Sequence, residues 1–255
     1  MFHISAASSI ALGKVLESSH DLTEFIIAFL DFTELHLQAT HAYHKAIVLS
    51  RIPLTTEMDN CDTRVFYFQL SQFLDIWKQI STTDDVEVQI TEKGWMVNGL
   101  LLIHHDDAFL SKEQRTKNDK LFEVTQSHGM DDVVCCVLLS TQLLITAILY
   151  VCFGNGECEC MLRRIDDEKK LVFETKSQNG RIQTVLHNET IRDIISQQSV
   201  SLKMFVRFLR IFVPCLSLVP KIHMLTLTNG MCFGFQDTRQ PTSVWLAMLG
   251  DVIRT

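Results

Sequence analysis

Met1-Phe2-His3-Ile4-Ser5 opens a 48-residue stretch that decides how the rest of the chain is read. It runs through Leu12-Gly13-Lys14-Val15-Leu16-Glu17 and Asp21-Leu22, then Leu37-Gln38, and reaches His44-Lys45-Ala46-Ile47-Val48. Residues 5–20 have the period of an amphipathic helix. Ile10, Leu12, Val15 and Leu16 are its apolar positions, and Lys14, Glu17 and Ser18 fall on the other side. Residues 23–50 are rich in Phe, Ile and Leu and predict strands around a turn.

At 255 residues the chain is long enough for one large domain or two of ordinary size. A hydrophobic content of 47% with only 4 Pro and 10 Gly fits a well-packed globular protein and argues against disorder or collagen-like structure. The formal net charge of -7 means that the surface as a whole repels nucleic acid. Any contact with DNA must come from locally clustered cations. The 8 cysteines lie mostly in apolar runs, where a thiol acts as a small hydrophobe. The start of the chain lacks a cationic segment followed by an apolar run, so reduced, intracellular cysteines are expected.

Further along, the periodicity predicts a second helix over about 69–80. Leu70, Phe73, Leu74, Trp77 and Ile80 occupy one side, and Gln72, Asp75, Lys78 and Gln79 the other. Val86-Glu87-Val88-Gln89-Ile90 alternates as a strand, and residues 95–103 predict another. Residues 105–132 are charged and polar apart from Leu121-Phe122-Glu123-Val124, which reads as a connector with one embedded strand. The plan then repeats: a helix at about 140–153, strands over 158–186, a helix at 199–213, and strands at 221–237 and 243–248. Two halves with one layout predict a duplicated α+β architecture. The expected division is an amino-terminal domain 1–108, a connector 109–132 and a carboxy-terminal domain 133–255.

From Val133 to Gly156 there is no Asp, Glu, Lys or Arg, a length sufficient to span a bilayer. Ser140, Thr141, Gln142 and Thr146 interrupt the run, and its flanks are acidic rather than basic. The better reading splits it into a buried strand, Val133–Leu139, and a core helix capped by Ser140 or Thr141.

Lys203, Arg207 and Arg210 are spaced i, i+4, i+7 and would share one face of the 199–213 helix, opposite Leu202, Phe205, Val206, Leu209 and Phe212. A solvated polar face explains such spacing without any partner. Cys158 and Cys160 alternate on a strand, and with His104, His105 or His187 they offer thiolate and imidazole donors. The second spaced ligand pair of a structural zinc site is missing, so no metal or cofactor is expected. No Walker loop, HExxH, GxSxG or dinucleotide fingerprint appears, and the expectation is a protein that is not an enzyme.

The amino-terminal stretch resembles, in ungapped register, the opening of the proliferating cell nuclear antigen (PCNA) family of DNA sliding clamps. Val200-Ser201-Leu202 with Arg207-Phe208-Leu209 and Phe212 is similar to that family's final helix. Val244-Trp245-Leu246-Ala247-Met248 resembles its carboxy-terminal segment. With the two-half layout, the resemblance covers nearly the whole chain. It implies two similar domains with β-sheets outside and two helices each on the inner face, and three subunits closing a ring joined through edge strands near 119–125 and 179–187.

The resemblance also assigns roles. Lys14, Lys78, Lys203, Arg207 and Arg210 would meet phosphates of double-stranded DNA without reading bases. Thr40, His44, Ile47, Val124, Met231, Cys232, Trp245, Leu246, Ala247 and Met248 would line a groove for partner peptides. Core packing explains Ile47, Trp245 and Leu246 equally simply. Implied partners are a DNA polymerase, other proteins carrying clamp-binding motifs and a clamp loader, with no membrane. The implied assembly is a homotrimer in the nucleus, or in a viral replication compartment. Four features depart from the family pattern: His41 after the Leu-Gln pair, Met248 in place of a proline, Asp75 on the presumed DNA side, and a cation-free helix at 140–153. They fit a divergent replicative clamp, one subunit of a heterotrimeric checkpoint clamp, or a clamp-fold scaffold that no longer encircles DNA.

Overall fold

The computed structural model describes residues 1–31, 33–42, 46–56, 64–80, 84–105, 133–152, 157–165, 168–177, 180–187, 191–195, 200–227, 230–236, 243–249 and 251–254. The chain divides into two compact units. The first comprises Met1–Tyr43, Ile47–Ser127 and Gln236–Val244; the second comprises His44–Ala46, His128–Phe235 and Trp245–Thr255.

In the first unit a short strand β1 (Phe2–Ile4) leads into helix α1 (Ala6–His20). Ser5 caps it, its side chain accepting a hydrogen bond from the Ser8 amide at 3.3 Å. Strands β2 (Phe25–Leu30), β3 (Glu34–Thr40), β4 (Ala46–Pro53), β5 (Thr55–Thr56) and β6 (Arg64–Gln69) precede helix α2 (Leu70–Trp77). Strands β7 (Val86–Thr91), β8 (Gly94–Val97) and β9 (Leu101–His104) complete the unit's ladders. One antiparallel sheet has the order β5-β1-β7-β8-β9, and a second runs β4-β3-β2-β6.

The core explains why these elements stay together. α1 buries Leu12, Val15 and Leu16 completely, and its small buried residues Ser8, Ser9, Ser18 and Ser19 allow close approach. α2 lies against it: the Trp77 indole N–H donates to the Ser9 carbonyl at 3.1 Å. Gly13 faces the same ring, where a Cβ would stand 3.6 Å from Trp77 Cδ1. Trp95 is fully buried, with its ring centroid 4.7 Å from Phe68, 5.3 Å from Phe66, 5.4 Å from Phe2 and 6.0 Å from Phe73. All four contacts are edge-on, the arrangement that the ring quadrupole favours.

The second unit repeats the plan. Strand β10 (Val133–Ser140) runs into helix α3 (Thr141–Val151), followed by β11 (Glu157–Ile165), β12 (Glu168–Ser177), β13 (Gly180–Leu186) and β14 (Ile191–Ile195). Strand β15 (Val200–Phe205) passes directly into the short helices α4 (Val206–Ile211) and α5 (Val213–Leu216). Strands β16 (Lys221–Leu227), β17 (Gly230–Gln236), β18 (Ser243–Leu249) and β19 (Asp251–Arg254) end the chain, with β18 divided between the units. One antiparallel sheet has the order β13-β12-β11-β15-β19, and β14-β10-β16-β17 forms another ladder. The expected α+β fold, with two halves of one layout, is therefore present.

The uncharged run at 133–156 resolves into strand β10 and the 11-residue helix α3, with Ser140 at the N-cap position. Among the described residues no helix is long and apolar enough to cross a membrane.

Three sequence readings need correction. The strand expected at 95–103 is two strands, because Asn98 (φ 48) and Gly99 (φ 70) both adopt the left-handed region and turn the chain into a hairpin. The second helix ends at Trp77, so Lys78 is its C-cap rather than an interior residue. The helix expected over 199–213 begins only at Val206. Residues 200–205 form β15, paired on one side with β11 and on the other with β19. Two ladders satisfy this backbone, and such tertiary pairing overrides a weak helical pattern. The charged connector at 106–132 lies outside the described residues.

Candidate nucleic-acid interface and partner groove

Four of the five predicted DNA-facing cations stand at the ends or on the outer faces of the helices, and one does not. Lys14 is half-exposed on α1, and its ammonium donates to Glu17 Oε2 at 2.8 Å. Lys78 is exposed at the end of α2, three residues beyond the exposed Asp75. Arg207 and Arg210 are exposed on α4. Lys203 is exposed too, but it stands on β15, so it shares no helical face with the two arginines. The positions directly opposite it are Glu159 on β11 and Asp251 on β19, and Glu157 is opposite Phe205.

α3 supplies no charge. Its exposed positions are Gln142, Thr146, Leu149 and Tyr150, spaced so that they share one face. Thr146 Oγ1 donates to the Gln142 carbonyl at 2.8 Å. At the helix end the Cys152 thiol donates weakly to the Val206 carbonyl at 3.9 Å, tying α3 to the start of α4. Burial pushes the Cys152 thiol pKa up, and the positive charge of Arg210 opposes that rise.

Arg207 has a feature that the sequence reading missed. Its guanidinium carbon lies 4.8 Å from the Phe208 ring centroid and 5.5 Å from that of Phe205. The two rings are 6.1 Å apart and nearly perpendicular, at 83°. Phe208 is buried, whereas Phe205 is 42% exposed. Aromatic residues flanking an arginine were the available signal, but reading all of 199–213 as one helix placed Phe205 on the core side.

The groove residues divide into several groups. Thr40, half-buried at the end of β3, pairs in register with Ile47 of β4. Ile47 is only 6% exposed, and its side chain serves the core. Met231 and Cys232 lie on β17 opposite Thr226 and Leu225 of β16. Trp245, Leu246, Ala247 and Met248 lie on β18. His44 and Val124 fall outside the described residues, as does the expected edge at 119–125. The other expected edge is β13, the terminal strand of its sheet, paired with β12.

One group among the described residues has metal-donor chemistry: Asp31, Glu34 and His36 at the β2–β3 turn. His36 Nε2 lies 3.0 Å from Glu34 Oε2 and 3.7 Å from Asp31 Oδ2, so contacts between the imidazole and the two carboxylates account for the cluster. Asp31 Oδ1 accepts from the amides of Thr33 at 2.8 Å and Glu34 at 2.7 Å. Partial burial alone would raise the Asp31 pKa, but these hydrogen bonds, with the nearby His36, bring it below the ordinary carboxylate value.

Two units, each with antiparallel ladders and helices in the same chain order, make a duplicated α+β fold. Comparison with solved structures specifies which fold it is. PCNA from Thermococcus kodakaraensis matches with a TM-score of 0.76 and 13% sequence identity, over 98% of this chain and 100% of that one. A PCNA2–PCNA3 complex from Sulfolobus tokodaii matches with a TM-score of 0.75 and 10% identity, over 98% and 99%. No family model and no curated protein matches the sequence. The chain thus has the PCNA sliding-clamp fold, and the resemblance read from its amino terminus is borne out as a likeness of fold.

Proposed function

We propose that this chain is a ring-forming sliding clamp that encircles duplex DNA and tethers a polymerase and other replication or repair enzymes to it. The observation that carries the proposal is the likeness of fold to PCNA over 98% of the chain, at both domains' worth of length. Exposed Arg207 and Arg210 on α4 supply the charge that a phosphate backbone attracts. Such contacts are sequence-independent and individually weak, which suits sliding; ring closure rather than affinity keeps the clamp on its template. On this reading the work is mechanical and not catalytic. Partner peptides dock near Thr40, Met231, Cys232 and Trp245–Met248, a clamp loader opens the ring, and β13 offers an edge strand to the next subunit. The proposal places this role in a nucleus or a viral replication compartment.

A heteromeric ring is the second reading. It is favoured by the uncharged outer face of α3 and by a structural neighbour that is itself a complex of two different clamp chains. Light scattering on the purified chain, followed by primer extension on a long template, tests both. Self-association with longer extension products is expected for a homotrimer. A monomer that lengthens products only after two related chains are added supports the heteromer. A monomer that never lengthens products, alone or with such chains, refutes the proposal.

A further inference from the structure

We propose that Phe205 is a positioning residue that holds Arg207 ready for phosphate, and that this arginine, with Arg210, is the main phosphate contact among the five cations that the resemblance assigns to DNA. The inference rests on the clamp reading above.

Of the five cations that the resemblance assigns to DNA, three are offset by a nearby acidic position. The Lys14 ammonium is engaged by Glu17 at 2.8 Å. Lys78 shares the exposed side of α2 with Asp75. Lys203 sits on a strand between two acidic register positions, Glu159 and Asp251. α3 carries no charge. Arg207 and Arg210 remain, and Arg207 is the one whose side chain is held.

Its guanidinium lies in a corner made by two perpendicular rings, 4.8 Å from Phe208 and 5.5 Å from Phe205. Phe208 is 2% exposed and forms the fixed wall. Phe205 is 42% exposed, so burial does not account for a phenylalanine there, whereas contact with the guanidinium does. A cation–π contact is made by the guanidinium charge and does not consume its N–H donors, which remain for a phosphate oxygen. An arginine ordered before binding loses less side-chain freedom when it meets phosphate.

The test measures anisotropy of a labelled short duplex over a salt series for the intact chain and for R207Q, F205A, F205L, F205W and the F205A/R207Q pair. R207Q removes a phosphate contact and should flatten the log K against log salt slope by about 0.9 for each arginine engaged. F205A keeps every charge, so the slope should stay while affinity falls about two- to five-fold. F205L should behave like F205A, because it keeps apolar bulk but has no π face, and F205W should restore binding. On the R207Q background F205A should have no further effect. Wild-type affinity in F205L overturns the inference and leaves the clamp reading standing. Additive losses in the double variant also overturn it, because Phe205 would then touch DNA itself. Absence of duplex binding by the unaltered chain at low salt overturns the inference together with the DNA contact on which it rests.

Discussion

Placing a lysine at position 146 should strengthen DNA binding without harming the fold. On the helices of the first unit the charges of Lys14 and Lys78 are offset by Glu17 and Asp75, so of the five cations that the resemblance assigns to DNA, with Lys203 on a strand, the helical pair Arg207 and Arg210 remains. If both engage phosphate, the slope of log K against log salt is about -1.8 per chain. Thr146 is exposed on the uncharged face of α3, and its hydroxyl is spent on the Gln142 carbonyl one turn back at 2.8 Å. That back-bond adds little to a helix, and lysine has the higher helix propensity, so T146K should change stability by no more than about 0.5 kcal/mol. One added phosphate contact takes the slope to about -2.7 per chain and raises affinity most at low salt. T146E should do the reverse by like-charge repulsion. Duplex anisotropy over a salt series, with thermal melts as the control for folding, reads both variants. Slopes for T146K and T146E equal to the wild-type slope would refute the reasoning, because the outer face of α3 would then not meet DNA.

Two further predictions concern stability. Gly94 has φ +152 and packs so closely that an added Cβ would lie 2.1 Å from the Ile103 carbonyl oxygen, whereas Gly180, with φ +136, has nothing within 4 Å. Gly94→Ala must therefore push β8 from β9 and should cost about 3 kcal/mol in urea denaturation, against about 1 kcal/mol of backbone strain for Gly180→Ala; equal costs would contradict the packing described. Asp31 has its pKa lowered in the folded chain, so its ionised form contributes stability above the unfolded pKa, and that contribution disappears as pH falls through the folded pKa. Asp31→Asn should be less stable than wild type at neutral pH, with the gap closing as pH drops through the acid range; a gap that stays constant with pH would point to lost geometry rather than charge.

Much of the fold was legible because three segments carry period-3.6 patterns that also supply the core. Leu12, Val15 and Leu16 on α1, Phe73, Leu74 and Trp77 on α2, and Leu144, Ala147, Ile148 and Val151 on α3 are all buried, whereas Ile10, read with the apolar side of α1, is 43% exposed and Ser18, read on its polar side, is buried. The turn at 98–99 was missed although Asn-Gly is a turn signal, because the apolar run around it reads as one strand. Residues 200–205 could not be read locally. Their apolar spacing fits a helix as well as a strand, and what decides is pairing with β11, some 40 positions earlier, and with β19 near the carboxy terminus. That misreading also hid the site. With Lys203 on a strand, the three cations no longer form a stripe, and the Phe205–Arg207–Phe208 corner arises only because the chain changes from strand to helix between Phe205 and Val206. Ile47 shows the opposite limit: a residue assigned to a groove by resemblance alone is buried in the core.

Retention on circular against linear DNA tests the encircling role most directly. The chain would be loaded onto a nicked circular duplex with its loader and partner chains, washed in high salt to remove phosphate-held protein, and the circle then cut with a restriction enzyme. A sliding ring stays on the circle through the wash and is released when the ends appear. Protein that the salt wash strips from the circle, or that remains on the cut DNA as well as on the intact circle, would contradict encirclement.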